Sequence, residues 1–113
     1  MTAADVPAVD PAEARQRLGA GSRLLDVREA DEWEAGHAAE ATWIPLGDLA
    51  VREDDLPSAP LVVVCRSGVR SARAVAALCA AGYDAVNLTG GMRAWEAAGL
   101  AVVTDGGGVG RVA

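Results

Sequence analysis

The chain of 113 residues contains few of the residues that hold small secreted or metal-binding proteins together. It has two cysteines, Cys65 and Cys79, and a single histidine, His37. Two cysteines do not make the dense framework of a disulfide-stabilised mini-protein, and no Cys-x-x-Cys motif or Cys/His cluster predicts zinc. We therefore expect two reduced thiols, no metal site and no organic cofactor.

Basic residues and long apolar runs are also scarce. All ten basic residues are arginines, and 16 acidic residues bring the net charge to −6. Nucleic-acid surfaces generally need a basic stripe, so no nucleic-acid partner is expected. No apolar stretch approaches the ~18–20 residues that span a membrane, and the N-terminus lacks the pattern of a secretory signal. We expect a cytoplasmic protein without a membrane partner.

Length and composition predict one domain. With 51% hydrophobic residues, the chain can bury a single core without a disulfide or a metal to hold it together. We assign that domain to residues 9–103. Residues 1–8 and the glycine-rich residues 104–113 have little to bury, so flexible ends are predicted.

Predicted strands and helices alternate along the domain. Strands are predicted at residues 23–27, 41–44, 61–64 and 85–88, with a last edge strand at 100–103. Helices are predicted at 11–18, 30–35 and 90–97, with a longer one that follows Cys65 and runs to 81 and a helical turn at 47–51. Residues 61–64 are all apolar, which is typical of a parallel strand covered on both faces. This order predicts an α/β sandwich with a mainly parallel sheet.

Cys65 directly follows the predicted central strand and opens the loop Cys65-Arg66-Ser67-Gly68-Val69-Arg70-Ser71, which leads into a helix. Ligand sites in such sheets lie beyond the carboxyl ends of the strands. Unpaired backbone N–H groups at a helix N-terminus favour an anion, so a thiolate is expected at this position. We predict that Cys65 is a nucleophile.

The rest of the loop supplies groups for an anionic substrate. Gly68 lets the loop curl so that its amides converge on the sulfur. Arg66 and Arg70 make the pocket locally positive and are predicted to bind a small anion, with hydrogen bonds from Ser67 or Ser71.

Motifs along the chain resemble those of a single-domain rhodanese. They are Leu24-Leu25-Asp26-Val27-Arg28-Glu29, Glu32-Trp33, Gly36-His37, Ile44-Pro45-Leu46, the Cys65 loop, Leu88-Thr89-Gly90-Gly91, Trp95 and Gly99. The resemblance covers about residues 10 to 103 in the family's order. It implies a rhodanese-like three-layer sandwich with a mainly parallel five-stranded sheet flanked by helices.

The resemblance also implies sulfurtransferase chemistry. Cys65 would attack the outer sulfur of thiosulfate, polysulfide or a similar donor and hold it as a persulfide for cyanide, a thiol or a protein acceptor. The implied site is Cys65 with loop residues 66–71, with Asp26 and Arg28 in support. The alternative is a non-enzymatic rhodanese-like module that binds a partner or carries sulfur.

Loop length argues against a third possibility, a cysteine phosphatase or arsenate reductase. Phosphatases, including those that share the rhodanese fold, have five residues between the cysteine and an arginine. Here only four residues separate Cys65 from Arg70, and residue 71 is serine. A smaller ring suits a sulfane sulfur better than a tetrahedral anion.

Most other polar and aromatic residues are predicted to have structural roles. Asp26 and Arg28 more simply form a salt bridge or stabilise a turn, and His37 is not needed as a base once the thiol is ionised. Cys79, Trp33 and Trp95 are predicted to lie in the core. Gly90 and Gly91 allow close packing beside the Cys65 loop, and the acidic residues 29, 31, 32 and 34 form a solvated helix face.

One segment departs from the family pattern. After His37 the chain reads Ala38-Ala39-Glu40-Ala41-Thr42-Trp43, where relatives usually have an Ile, a Gly-Ala pair and an Asn. Trp43 thus replaces a small polar residue, so different local packing is expected there.

Overall fold

A computed structural model describes residues 2–113. Its centre is a five-stranded sheet in the order β1-β5-β4-β2-β3, and every neighbouring pair is parallel. The strands are β1 (Ala8–Val9), β2 (Arg23–Asp26), β3 (Thr42–Trp43), β4 (Leu61–Val64) and β5 (Ala85–Leu88). The helices are α1 (Pro11–Gly19), α2 (Ala30–Ala35), α3 (Val69–Ala80) and α4 (Gly91–Ala97), with 3₁₀ turns at Ala3–Asp5, Leu46–Asp48 and Glu53–Asp55. The predicted fold class is confirmed.

Helices cover both faces of the sheet and bury two separate cores. On one face, Val62 packs in a cluster with Trp95 of α4. On the other face, Val63 packs with Val75 and Leu78 of α3. Successive side chains of a strand point to opposite faces, so a strand covered on both sides needs an unbroken apolar run. This explains the sequence of β4 and confirms the three-layer arrangement.

Helix starts follow local capping chemistry. Asp10 accepts a hydrogen bond from the Glu13 N–H at 2.8 Å, and Pro11 occupies the first position of α1. The N-cap of α4 is Gly90, with φ of 79°. In the described part of the chain, no helix is long and apolar enough to cross a membrane.

The fifth strand is not the predicted one. Residues 100–103 do not form an edge strand, and Val103 makes only isolated antiparallel bridges, with His37 and Val109. The neighbouring Leu100 and Val102 pack against the first core. This segment therefore covers a face of the sheet and does not pair with its edge. The fifth strand is β1, which pairs with Asn87 and Leu88 of β5.

Both chain ends differ from the expectation that they have nothing to pack against. At the N-terminal end, the Pro7 carbonyl accepts a hydrogen bond from the Asn87 N–H at 2.8 Å, and Val6 packs against the second core. These contacts place residues before position 9 in the fold, while Met1 lies outside the described residues.

The glycine-rich tail folds back on the segment that follows α2. Arg111 N–H donates to the Ala35 carbonyl at 2.9 Å. A methyl group on Gly36 would lie 2.5 Å from the Arg111 nitrogen, and one on Gly110 would lie 2.7 Å from the Gly36 Cα. Glycine at these positions thus permits close backbone approach, whereas composition alone indicated flexibility.

Candidate functional site at the carboxyl end of the central strand

Cys65 lies at the carboxyl end of β4, the middle strand of the sheet. The chain then turns sharply, with Gly68 in the left-handed region at φ of 104° as the N-cap of α3. A residue with a Cβ rarely adopts this conformation, so the predicted need for glycine is supported by the backbone. The turn aims the Gly68 N–H at the Cys65 Sγ, at a distance of 3.1 Å.

Hydrogen bonds to the Cys65 sulfur lower its pKa by more than burial raises it. Cys65 is 1% exposed, and burial alone raises its pKa. The Ser71 hydroxyl, 3.2 Å from Sγ, lowers it, as do hydrogen bonds from the backbone N–H groups of Ser71, Gly68 and Ser67. The net result is a pKa of Cys65 below its ordinary value. The loop thus provides an environment for a thiolate.

Arg70 does not offer a free positive charge to a substrate. Its two terminal nitrogens each donate to a carboxylate oxygen of Glu32 on α2, both at 2.7 Å. The Arg70 hydrogen bonds hold the pKa of Glu32 down at about 2, and Glu32 raises the pKa of Arg70. The predicted locally positive pocket is therefore partly neutralised. Glu32 is the member of the acidic helix face that reaches the loop.

Three predicted loop residues lie on its outer side. Arg66, Ser67 and Val69 are exposed. The Arg66 Nε donates to the Ala113 backbone oxygen at 2.5 Å. The structure thus gathers Gly68 and Ser71 around the sulfur and leaves the other side chains at the rim.

Asp26 and Arg28 form a fully buried ion pair that fastens α2 to the end of β2. The Arg28 Nη2 lies 2.8 Å from the Asp26 Oδ2 and also donates to the Gly36 carbonyl at 2.8 Å. The Arg28 Nη1 donates to the Glu32 carbonyl at 3.3 Å. The pair therefore positions the helix that carries Glu32. Its predicted support of the site is indirect in this geometry.

The β5–α4 turn packs directly on the Cys65 loop. Met92 N–H donates to the Cys65 carbonyl at 2.8 Å, and Arg93 N–H donates to the Arg66 carbonyl at 3.1 Å. A methyl group on Gly91 would lie 2.5 Å from the Cys65 carbonyl oxygen. This geometry agrees with the predicted role of Gly91 in close packing.

His37 belongs to a separate cluster at the tail. Its ring stacks on Trp33 with a centroid distance of 3.6 Å, and its Nε2 lies 2.8 Å from the Asp105 Oδ1. Trp43 also stacks on Trp33, with a centroid distance of 5.5 Å, and its Nε1 donates to the Arg28 carbonyl at 2.8 Å. Trp33 is half-buried, whereas Trp95 is a core residue as predicted. These contacts agree with a structural role for His37.

Two residues near the sulfur are not predicted as site residues from the sequence. Glu32 was indistinguishable from its acidic neighbours, because its partner Arg70 lies 38 residues further along. Asn87 lies on β5 and is 7% exposed, with its side chain between Ser71 and Gly68. A signal for Asn87 did exist, since an asparagine inside an apolar strand must find hydrogen-bond partners when it is buried.

A family model and individual relatives of known sequence indicate the same family. Residues 10–98 match the family model described as the rhodanese-like domain. The putative sulfurtransferase YtwF of Bacillus subtilis is 33% identical over 95 residues, which cover 81% of this chain and 92% of YtwF. The probable adenylyltransferase/sulfurtransferase MoeZ of Mycobacterium tuberculosis is 40% identical over 94 residues, but the match spans only 24% of MoeZ and 77% of this chain.

A solved structure agrees with this match. The crystal structure of a rhodanese-related protein from Thermoplasma volcanium has a TM-score of 0.82 and 31% identity to this chain. The alignment covers 88% of this chain and 99% of the other. Both sequence and structure therefore extend the similarity over nearly the whole domain.

Proposed function

Because the chain belongs to the rhodanese-like domain family, we propose that it is a sulfurtransferase that carries a sulfane sulfur as a persulfide on Cys65. The donor is thiosulfate, polysulfide or a related compound, and the acceptor is a thiol, cyanide or a protein. The observation that carries the proposal is the set of N–H and O–H donors around the Cys65 Sγ. Two free thiols suit the reducing cytoplasm, where we expect the protein to act.

In the first half-reaction the Cys65 thiolate attacks the outer sulfur of the donor. With thiosulfate, an S–S bond forms between Sγ and that sulfur, the S–S bond of thiosulfate breaks, and its electron pair leaves with sulfite. The product is a Cys65 persulfide that carries one negative charge. The loop N–H groups favour negative charge at this position before and after the transfer.

In the second half-reaction the acceptor attacks the outer sulfur of the persulfide. Cyanide is converted to thiocyanate, and a thiolate acceptor is converted to a persulfide. In both cases the electron pair of the broken S–S bond returns to Sγ. The thiolate is thereby restored, so the low pKa of Cys65 assists both the attack and the departure.

One observation favours the alternative, a sulfur carrier or binding module that works only with a protein partner. The Arg70–Glu32 pair removes one of the two loop cations that a free dianion such as thiosulfate would meet. The same pairing gives no support to a phosphatase, whose arginine must bind the tetrahedral anion.

Intact mass measurement after incubation with thiosulfate tests the proposal. We expect the reduced protein to gain one sulfur atom, and addition of cyanide to remove it as thiocyanate. Cys65→Ala should gain none, whereas Cys79→Ala should behave as the wild type. An adduct that persists in Cys65→Ala would refute the proposal. Absence of an adduct with both thiosulfate and polysulfide would favour the binding module.

A further inference from the structure

Asn87 is a polar side chain on a strand that is otherwise apolar. The strand β5 reads Ala85-Val86-Asn87-Leu88, and all four residues are buried. Its backbone is held on both sides, by the Pro7 carbonyl and by pairing with Val63. The side chain therefore projects from a fixed point toward the Cys65 loop.

Each end of the Asn87 amide contacts a residue that donates to the sulfur. The Nδ2 donates to the Gly68 carbonyl at 3.1 Å, and the Oδ1 lies 2.6 Å from the Ser71 Oγ. The Gly68 carbonyl can only accept a hydrogen bond, so the nitrogen of the amide must face it and the oxygen must face Ser71. One side chain thus spans both partners of Sγ.

The hydroxyl of Ser71 has one hydrogen and two acceptors within reach. Its oxygen is 3.2 Å from the Cys65 Sγ and 2.6 Å from the Asn87 Oδ1. When Cys65 is a thiol, its S–H can donate to the Ser71 oxygen while the hydroxyl donates to Asn87. When Cys65 is a thiolate, the hydroxyl turns to the sulfur. The Asn87 oxygen therefore competes with the sulfur for the Ser71 hydrogen, and Asn87 supports the thiolate through its amide nitrogen, which holds Gly68.

We infer that Asn87 is a positioning residue for the nucleophile: its amide nitrogen holds the Gly68 turn, so that the Gly68 N–H points at the sulfur. Without it, the Gly68 N–H is free to leave the sulfur, and burial then favours the neutral thiol. This inference depends on the proposed function only in taking Cys65 as the reactive group.

The test measures the ionisation of Cys65 in a Cys79→Ala background, in which Cys65 is the only thiol. The rate of alkylation by iodoacetamide is followed against pH, because only the thiolate reacts. We expect Asn87→Ala to move the midpoint upward by about one pH unit, which reduces the rate about tenfold at pH values below both midpoints.

A matched control is available on the same strand. Val86 is 7% exposed, as is Asn87, but its side chain packs in the first core on the opposite face. Val86→Ala also deletes a buried side chain of β5, and we expect it to lower the melting temperature without moving the alkylation midpoint. An equal shift in both variants would mean general loosening of the fold and would overturn the inference.

A second variant keeps the test available if Asn87→Ala does not fold. Asn87→Thr suits a strand, yet its single hydroxyl is too short to bond both Gly68 and Ser71. The same upward shift is expected, and an unchanged midpoint in a folded Asn87 variant would overturn the inference.

A Ser71→Ala background sharpens the result. Because the Asn87 oxygen competes with the sulfur for the Ser71 hydrogen, the upward shift caused by Asn87→Ala should be at least as large in that background. A shift that disappears there would contradict the route through Gly68. Alkylation requires no sulfur donor. An upward shift in a protein that forms no persulfide would support the inference and count against the proposed function.

Discussion

The two cysteines lie near opposite ends of the same helix, in different surroundings. Cys65 precedes α3 and accepts hydrogen bonds from Gly68 and Ser71. Cys79 lies in the last turn of α3, half-buried, and its Sγ faces the Ala85 carbonyl at 3.4 Å, to which a thiol can donate. Cys65 meets N–H donors at the N-terminus of α3, whereas Cys79 meets an acceptor on β5, so the same residue type meets opposite chemistry. The expected reactivity of each thiol depends on the groups that surround its sulfur.

The largest expected effect comes from removal of the nucleophile. Cys65→Ala leaves the loop but deletes the atom on which we propose that the persulfide forms, and we expect the rate of sulfur transfer to fall by at least about a thousandfold. The measurement is thiocyanate production from thiosulfate and cyanide. Transfer that continues at more than a tenth of the wild-type rate in this variant would show that the sulfur travels by another route.

A smaller effect is expected from the loss of one donor. Ser71→Ala removes the hydroxyl that lowers the pKa of Cys65, so this pKa should rise and alkylation at pH values below both midpoints should slow about tenfold. At pH values above both midpoints the two proteins should react equally fast. A slower rate of the variant at every pH would instead indicate that access to the sulfur has changed.

The lowered pKa of Cys65 also couples its ionisation to folding. The thiolate is favoured in the folded state, so its contribution to stability is complete above the pKa of the unfolded chain and is lost as the pH falls through the folded value. Ser71→Ala should reduce this dependence on pH. Thermal unfolding between neutral and alkaline pH checks the sign.

Neutralisation of Arg70 by Glu32 has a weaker expected effect on activity. Glu32→Gln should free the guanidinium, raise the rate with thiosulfate roughly threefold, and cost about 1 kcal/mol of stability. Glu34→Gln is the control, since it makes the same charge change on an exposed residue of the same helix. If both substitutions change the thiosulfate rate equally, the change results from net charge alone and not from the release of Arg70.

Acid should break the same ion pair. The pKa of Glu32 is about 2, against an ordinary value of 4.5, so the stability that the pair contributes is complete above the ordinary value and is lost as the pH falls toward about 2. The difference in melting temperature between wild type and Glu32→Gln should therefore shrink over this range. A difference that stays constant there would contradict the assignment.

Prediction from sequence succeeded where the partners are close in the chain. The turn at Gly68 and the buried strand β4 depend on adjacent residues, so residue type and apolar pattern were sufficient. Glu32 and Asn87 reach the loop through the fold, and Asn87 lies 16 residues from Ser71. Their contacts depend on strand order and helix placement, which one sequence does not specify. The contacts of the tail were missed for a similar reason, since glycine permits both flexibility and close packing.

The smallest expected effect concerns the other cysteine. Cys79→Ala deletes one sulfur from a half-buried position against the second core, and we expect a loss of about 1 kcal/mol in stability, measured by thermal unfolding. The transfer rate should stay within about a factor of two, because the removed group faces a carbonyl at the far end of α3 from the Cys65 loop. A tenfold loss of transfer with normal stability would contradict the contrast between the two ends. It would mean that sulfur transfer uses both thiols. The hydrogen-bond donors around Cys65 give no reason to expect a second thiol in the reaction.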